Sequence, residues 1–137
     1  MGKLKRFGVS IDSVLLKKFD SRIKEKNYSA RSKAISDLIR QDLIKKEWLQ
    51  GKEVAGIISI VYDHHKRELV NKLIDIQHNY GKVIISTQHV HLDHANCLEI
   101  IVSKGKPEEI LKLSEALKAQ KGVKFGELSM ATTGKDV

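Results

Sequence analysis

The side chains best suited to hold a transition metal, six histidines and a single cysteine, all lie between His64 and Cys97 of this 137-residue chain. His89 and His91 lie two positions apart in a segment that alternates like a strand, so both imidazoles should project from one face. Cys97, the single cysteine, follows on the next predicted strand and can face the same side. Imidazole nitrogens with a thiolate sulfur suit Ni(II), Cu(II) or Zn(II) and exclude magnesium and calcium.

His78 lies on a predicted helix and offers a further nitrogen donor. Four apolar residues share the opposite side of a helical wheel: Leu69, Leu73, Ile76 and Tyr80. His78 is therefore predicted to be exposed or to face another subunit. The remaining histidines are predicted to lie in exposed loops, where they would form weak secondary metal sites at most: His64, His65 and His94.

The elements that must position these residues follow Gly51 in the order βαββαβ. This is the ferredoxin-like split βαβ arrangement, which small regulatory ACT domains share. The predicted elements are a strand from Val54 to Tyr62, a helix from Lys66 to about Tyr80, strands from Val83 to Leu92 and from about Ala95 to Ser103, a helix opened by Pro107 and a strand from Val123. Residues 51–137 are predicted to form one metal-binding domain.

Charge separates the first part of the chain from this domain. Basic residues outnumber acidic ones 13 to 6 in residues 1–50, but only 12 to 11 in residues 51–137. A basic domain favours a polyanionic partner such as nucleic acid.

The order within residues 1–50 is a short strand followed by two helices. Phe7, Val9 and Ile11 alternate with Arg6, Gly8 and Ser10, which predicts a strand over residues 6–11. Asp12 is predicted to cap the first helix, Asn27 to end it in the left-handed conformation, and Ser29 to cap the second.

A lone strand cannot complete a sheet, so this domain is expected to dimerise. Two copies of the strand would make an antiparallel ribbon that fits the DNA major groove, with Arg6 and Ser10 towards base edges. Arg31, at the start of the second helix, would meet a phosphate. The alternating strand and the Arg31-Ser32-x-Ala34-Ile35 opening resemble the ribbon-helix-helix repressors.

Over nearly its whole length the chain resembles the nickel-responsive repressors of the NikR family. The stretches that carry the resemblance are Val61 to Arg67, Gln77-His78 and Gln88 to Ile100. The fold class it implies is α+β, a ribbon-helix-helix (βαα) domain followed by an ACT-like βαββαβ domain.

The resemblance also implies a partner and a site. His89, His91 and Cys97 of one subunit would join His78 of a neighbour in a square-planar site for one Ni(II) per subunit, within a homotetramer that is a dimer of dimers. The partner would be double-stranded operator DNA. Its contacts would come from Arg6, Gly8 and Ser10 on the strand, from Arg31, and from the basic pair Lys66 and Arg67; Tyr62 and Glu99 would lie next to the metal ligands.

One position departs from the family pattern. Where the family has two acidic residues that help bind a cation between the domains, this chain has Lys33 and Asp37, and the lysine can take the place of the cation.

Three other functions are compatible with these patterns to different degrees. A ribbon-helix-helix regulator could sense an amino acid or another small molecule through the ACT-like domain. An enzyme with a zinc-activated water is disfavoured because four protein ligands leave no open position. A nickel-storage protein is disfavoured by the basic strand.

No catalytic substrate is expected. No apolar stretch approaches the roughly 20 residues that span a bilayer, and no signal peptide is recognisable, so a cytoplasmic location is expected.

Overall fold

The computed structural model describes residues 2–137, which form two compact units, Met1–Arg40 and Gln41–Val137. The division lies inside a helix, earlier than the boundary at residue 50 expected from the sequence. The reason is that the end of this helix packs with the C-terminal unit. There Trp48 is buried beside Val54 and Ile110, and its Nε1 donates to the Ala131 carbonyl over 2.9 Å.

The first unit is built from two helices, α1 (Ser13–Glu25) and the first part of α2 (Arg31–Leu49). The predicted cap of α1 is confirmed, since Oδ1 of Asp12 accepts from the amides of Val14 and Leu15, both at 3.0 Å. Asn27 has a φ of 62°, which confirms the left-handed residue between the helices. α2 begins at Arg31, one residue later than a cap at Ser29 would place it.

The strand predicted over residues 6–11 is absent from the single chain. Residues 2–12 have no regular secondary structure, and the apolar side chains of Phe7 and Val9 are exposed. A strand exists only through hydrogen bonds to a neighbouring strand, and the strands of the second unit pair only with one another. The sequence predicted a ribbon between two copies, which one chain cannot form alone.

The second unit confirms the predicted βαββαβ order. Its elements are β1 (Val54–Asp63), α3 (Arg67–Asn79), β2 (Ile84–His91), β3 (Asn96–Gly105), α4 (Pro107–Lys118) and β4 (Val123–Met130). The sheet order is β2-β3-β1-β4, and every neighbouring pair is antiparallel. Pro107 opens α4, where its missing amide hydrogen costs nothing.

Alternation along the strands gives the sheet two different faces. On the face that the helices cover, Ile58, Ile60 and Ile101 are fully buried and pack with Leu73 and Leu113. Residues of the opposite parity, such as Ile57 and Phe125, remain exposed. The helix-covered face also carries Cys97 and Glu99 at one end of β3, so these two side chains are continuous with the apolar core.

No helix within residues 2–137 combines the length and the apolar character that crossing a membrane requires.

Candidate metal centre

The sheet register brings a thiol and two imidazoles to one face of the β2–β3 pair. His91 lies directly across from Cys97, and His89 lies across from Glu99. Cys97 is buried and in no disulfide, with its Sγ 3.8 Å from Nδ1 of His89. A free thiol this close to an imidazole nitrogen forms the beginning of a mixed sulfur and nitrogen site for a borderline metal.

A buried carboxylate, that of Glu99, lies beside Cys97 and His89 on the same face of the sheet. Glu99 is only 2% exposed, and its two oxygens accept from the Tyr62 hydroxyl at 2.7 Å and from Nε2 of Gln77 at 2.8 Å. Burial, and then the hydrogen bond to Glu99, raise the pKa of Tyr62 far above its ordinary value, so this hydroxyl stays a neutral donor. Glu99 thereby ties strands β1 and β3 to the last turn of α3.

His89 has contacts that fit a metal ligand. Its Nδ1 faces Cys97, while its Nε2 lies 3.4 Å from Oε1 of Glu99. Ligating histidines usually donate their second ring N–H to a carboxylate, which fixes the tautomer and the ring orientation. The residues present therefore fit a thiophilic divalent ion bound through Nδ1 of His89 and Sγ of Cys97.

The single chain does not bring the whole predicted ligand set together. Within residues 2–137, the one group of three or more candidate ligands whose donor atoms all lie within 4.8 Å of one another is Asp63, His64 and His65. His78 is exposed in the last turn of α3, on the side away from the buried Leu69 and Leu73. The orientation predicted from the helical wheel is confirmed.

Sequence reasoning did not identify Gln77 as a functional residue. Its amide nitrogen holds the buried Glu99, and its amide oxygen accepts from the Thr87 hydroxyl at 3.4 Å. A glutamine on an amphipathic helix looks like a surface residue. The sequence offered one indication: Gln77 lies one helical turn after the apolar Leu73 and directly before His78, which places it on the half-buried side of the helix.

Comparison with known proteins identifies the family. The family model described as "NikR C terminal nickel binding domain" matches residues 55–131, more than half of the chain. The chain belongs to the NikR family.

Relatives of this chain cover nearly its whole length. A protein of Syntrophus aciditrophicus is 60% identical over 98% of both chains, and one of Chlorobium limicola is 52% identical over 98% of this chain and all of its own. Both are named "Putative nickel-responsive regulator". Among solved structures, an uncharacterized protein of Thermotoga maritima has a TM-score of 0.53 at 18% identity, covering 58% of this chain and 98% of its own, which shows a shared fold only.

The NikR resemblance implies DNA contacts at three places along the chain: the N-terminal segment, the start of α2 and the start of α3. Arg6, Gly8 and Ser10 are exposed in the segment without regular structure. Lys66 immediately precedes α3, and Arg67 is its first residue, and both are exposed.

Arg31 is already engaged by a carboxylate in the first unit. Its guanidinium forms a two-pronged ion pair with Asp20, with both N–O distances 2.7 Å. The hydrogen bond from Arg31 lowers the pKa of Asp20, which keeps that carboxylate charged. A phosphate at this position would have to share Arg31 with Asp20.

The position that departs from the NikR pattern is also internally paired. Nζ of Lys33 lies 2.7 Å from Oδ1 of Asp37, and the Tyr28 hydroxyl donates to the other oxygen at 2.7 Å. These two hydrogen bonds, Lys33 first, lower the pKa of Asp37. The lysine ammonium and the guanidinium of Arg40, 3.4 Å from the same oxygen, supply positive charge beside this carboxylate.

Proposed function

We propose that this chain is a nickel-responsive transcriptional repressor that binds operator DNA when Ni(II) occupies its sensor domain. The observation that carries the proposal is the contact between Cys97 and His89, with Glu99 behind it as the carboxylate partner of His89. Thiolate and imidazole together favour a borderline ion over magnesium or calcium. A repressor acts on DNA, so the proposed location is the cytoplasm.

The proposed ligands are His89, His91 and Cys97 of one subunit and His78 of a neighbouring subunit, with one Ni(II) per subunit. The sheet register supports the first three, because His91 and Cys97 are paired directly. The exposure of His78 at the end of α3 supports its donation to another copy. Bound nickel would supply coordinate bonds that join two subunits.

Coupling to DNA would pass through α3. Gln77 holds Glu99, and Glu99 contacts His89, so the last turn of α3 is connected to the site. The same helix begins at Lys66 and Arg67, the basic pair proposed to contact phosphates. A ligand that favours one placement of α3 shifts the population towards it only by its difference in affinity for the two states.

The proposed assembly is a homotetramer made of two ribbon dimers. The apolar side chains of Phe7, Val9 and Ile11 are exposed in the single chain, as expected of residues that pack against a second copy. The exposed apolar residues of the second sheet face, including Ile57 and Phe125, support contacts between sensor domains. Arg6, Gly8 and Ser10 would then face the groove of operator DNA.

The test starts from selection of binding sites out of random double-stranded DNA by the nickel-loaded protein. The selected site is then titrated with wild type, with His91→Ala and with the control Gln88→Ala. Gln88 lies on the same strand as His91 but on the opposite face of the sheet. We expect nickel to tighten binding for wild type and the control and to have no effect on His91→Ala. Equal, nickel-independent binding by all three would contradict the proposal and would favour a regulator with an organic effector.

A further inference from the structure

The last turn of α2 is joined by two side-chain hydrogen bonds to the segment that follows β4. After β4 ends at Met130, the Ala131 amide donates to the carbonyl of Ala55 over 2.9 Å, which extends the pairing with β1. The carbonyl of Ala131 accepts from Nε1 of Trp48, also over 2.9 Å. Ala131 is therefore bonded both to the sheet and to α2.

The second hydrogen bond ends on a buried carboxylate. The Thr132 hydroxyl donates to Oε2 of the buried Glu47 over 3.0 Å. The Thr132 oxygen in turn accepts from the Gly134 amide at 3.0 Å, which helps to orient the hydroxyl. Gly134 has a φ of +81°, a conformation that favours glycine. Because burying a carboxylate is costly without donors, Glu47 depends on the hydroxyl of Thr132.

Apolar packing alone would hold this end of α2 less specifically. Trp48 is buried against Val54 and Ile110. Such contacts are non-directional, so they tolerate small rotations and shifts of a helix. Hydrogen bonds require defined distances and angles. The two bonds to Ala131 and Thr132 therefore fix the rotation and the axial position of the last turn of α2.

The helix α2 can carry a displacement from this end to its other end. It begins in the first unit and ends in the second. It runs without a break from Arg31 to Leu49 and contains neither proline nor glycine, the residues at which helices often kink. Its 19 residues correspond to about 28 Å of helix. Arg31, its first residue, is proposed to meet a DNA phosphate.

The two hydrogen bonds lie far along the sheet from the proposed nickel ligands. Ala131 is bonded to Ala55 near the first end of β1, whereas Cys97 lies across from Tyr62 near the other end. The strand between Ala55 and Tyr62 is about 24 Å long. A substitution at Thr132 can therefore alter the end of α2 without contacting a metal ligand.

We propose that residues 131–134 form a strap that fixes the last turn of α2 to the sheet, with Trp48, Glu47 and Thr132 as positioning residues. The consequence for DNA rests on the proposed function. A rearrangement that nickel causes in the second unit would reach α2, and hence Arg31, through this strap, in addition to the route through α3. Without the strap, nickel would still bind, but its binding would change the DNA affinity less.

The test compares three substitutions in the full-length protein. Thr132→Val removes the hydroxyl and keeps the shape of the side chain, whereas Thr132→Ser keeps the hydroxyl. Thr133→Val is the matched control, because Thr133 is also half-buried in the strap but is part of neither hydrogen bond to α2. Hydrogen exchange of the backbone amides is measured on the metal-free proteins. Bound nickel, its thiolate absorption and the affinity for the selected DNA site with and without nickel are measured in parallel.

We expect Thr132→Val to speed exchange in the last two turns of α2 and to leave exchange in α3 unchanged, because only the end of α2 loses a bond to the strap. Nickel content and thiolate absorption should match those of wild type. The factor by which nickel tightens DNA binding should fall by about three- to tenfold. Thr132→Ser and Thr133→Val should behave like wild type in every measurement.

Unchanged exchange in Thr132→Val, or an undiminished effect of nickel on its DNA binding, would overturn the proposed strap. Equal losses in Thr133→Val would also overturn it, because the hydroxyl of Thr132 would then not be the cause. Failure of the proposed function gives a different result, since wild type itself would bind DNA equally with and without nickel. The coupling would fall with it, and the exchange of α2 alone would decide whether the strap holds the helix.

Discussion

The hydrogen bond from Tyr62 to the buried Glu99 gives a direct test of how the polar site is held in the core. Tyr62→Phe removes the hydroxyl and keeps the ring, so no large cavity forms. The lost contact is 2.7 Å long and ends on a carboxylate that is 2% exposed. Gln77 still donates to the other oxygen. Hydrogen bonds to charged groups contribute about 1.5–3 kcal/mol, and we expect the free energy of unfolding to fall by about 2 kcal/mol.

The assay is urea denaturation of the metal-free protein followed by fluorescence of Trp48, the single tryptophan, which is buried in the same unit as Tyr62. With a urea slope of about 2 kcal/mol per molar, the midpoint should fall by about 1 M. Protein concentration is kept constant, because assembly changes apparent stability.

Tyr80→Phe is the matched control. Tyr80 also packs against this core, but its hydroxyl makes no hydrogen bond within residues 2–137. We expect a change in unfolding free energy below about 0.5 kcal/mol for this variant. Equal midpoints for Tyr62→Phe and Tyr80→Phe would refute the reasoning, because the hydroxyl of Tyr62 would then contribute nothing to holding Glu99.

Three further predictions concern the turns and the first unit. Gly122→Ala should lower the free energy of unfolding, measured in urea titrations, by about 1–3 kcal/mol. The reason is that the backbone φ of this residue is +101° and that the new Cβ would lie 2.9 Å from Cδ2 of Leu69. An unchanged urea midpoint would contradict the prediction. Hydrogen bonds from Asn96, first from its side chain, lower the pKa of Asp93 from 3.8 to about 2. The ionised carboxylate therefore stabilises the fold above about pH 3.8, and this contribution is lost as the pH falls through about 2. An NMR titration should place the midpoint of Asp93 near 2, and a midpoint near 3.8 would contradict the prediction. Asp20→Asn should release Arg31, tighten DNA binding at low salt and steepen its salt dependence, with little change in stability because the ion pair is exposed. Weaker binding would show that the ion pair positions Arg31 for DNA.

The fold of the second unit was largely predictable because its strands and helices have clear periodicity. Alternation placed His89, His91 and Cys97 on one face, and the register bears this out. The sequence could not reveal which face is buried. The even-numbered positions of β3 are the more apolar set, yet the packing of the helices places Cys97 and Glu99 inside and leaves Leu98 half-exposed.

The remaining features depend on contacts that no local pattern encodes. Gln77 reaches Glu99 because α3 crosses the end of β3, a relation between elements distant in sequence. Arg31 was expected to be free for a phosphate, but Asp20, 11 positions earlier, lies within reach of its guanidinium. The strand predicted over residues 6–11 would pair with a second chain, and a single chain offers it no partner, so these residues have no regular secondary structure here.

The burial of Cys97 has a practical consequence for measuring motion. This thiol is 1% exposed and is the only one in the chain, so a thiol-specific reagent has a single target that it cannot reach in the closed structure. Labelling therefore requires the edge strand β2 to separate from β3, or the second unit to unfold more extensively. When reclosing is faster than labelling, the observed rate equals the opening equilibrium constant multiplied by the rate for an unprotected thiol. The labelling rate of Cys97 therefore reports the equilibrium of local opening, and no engineered cysteine is needed.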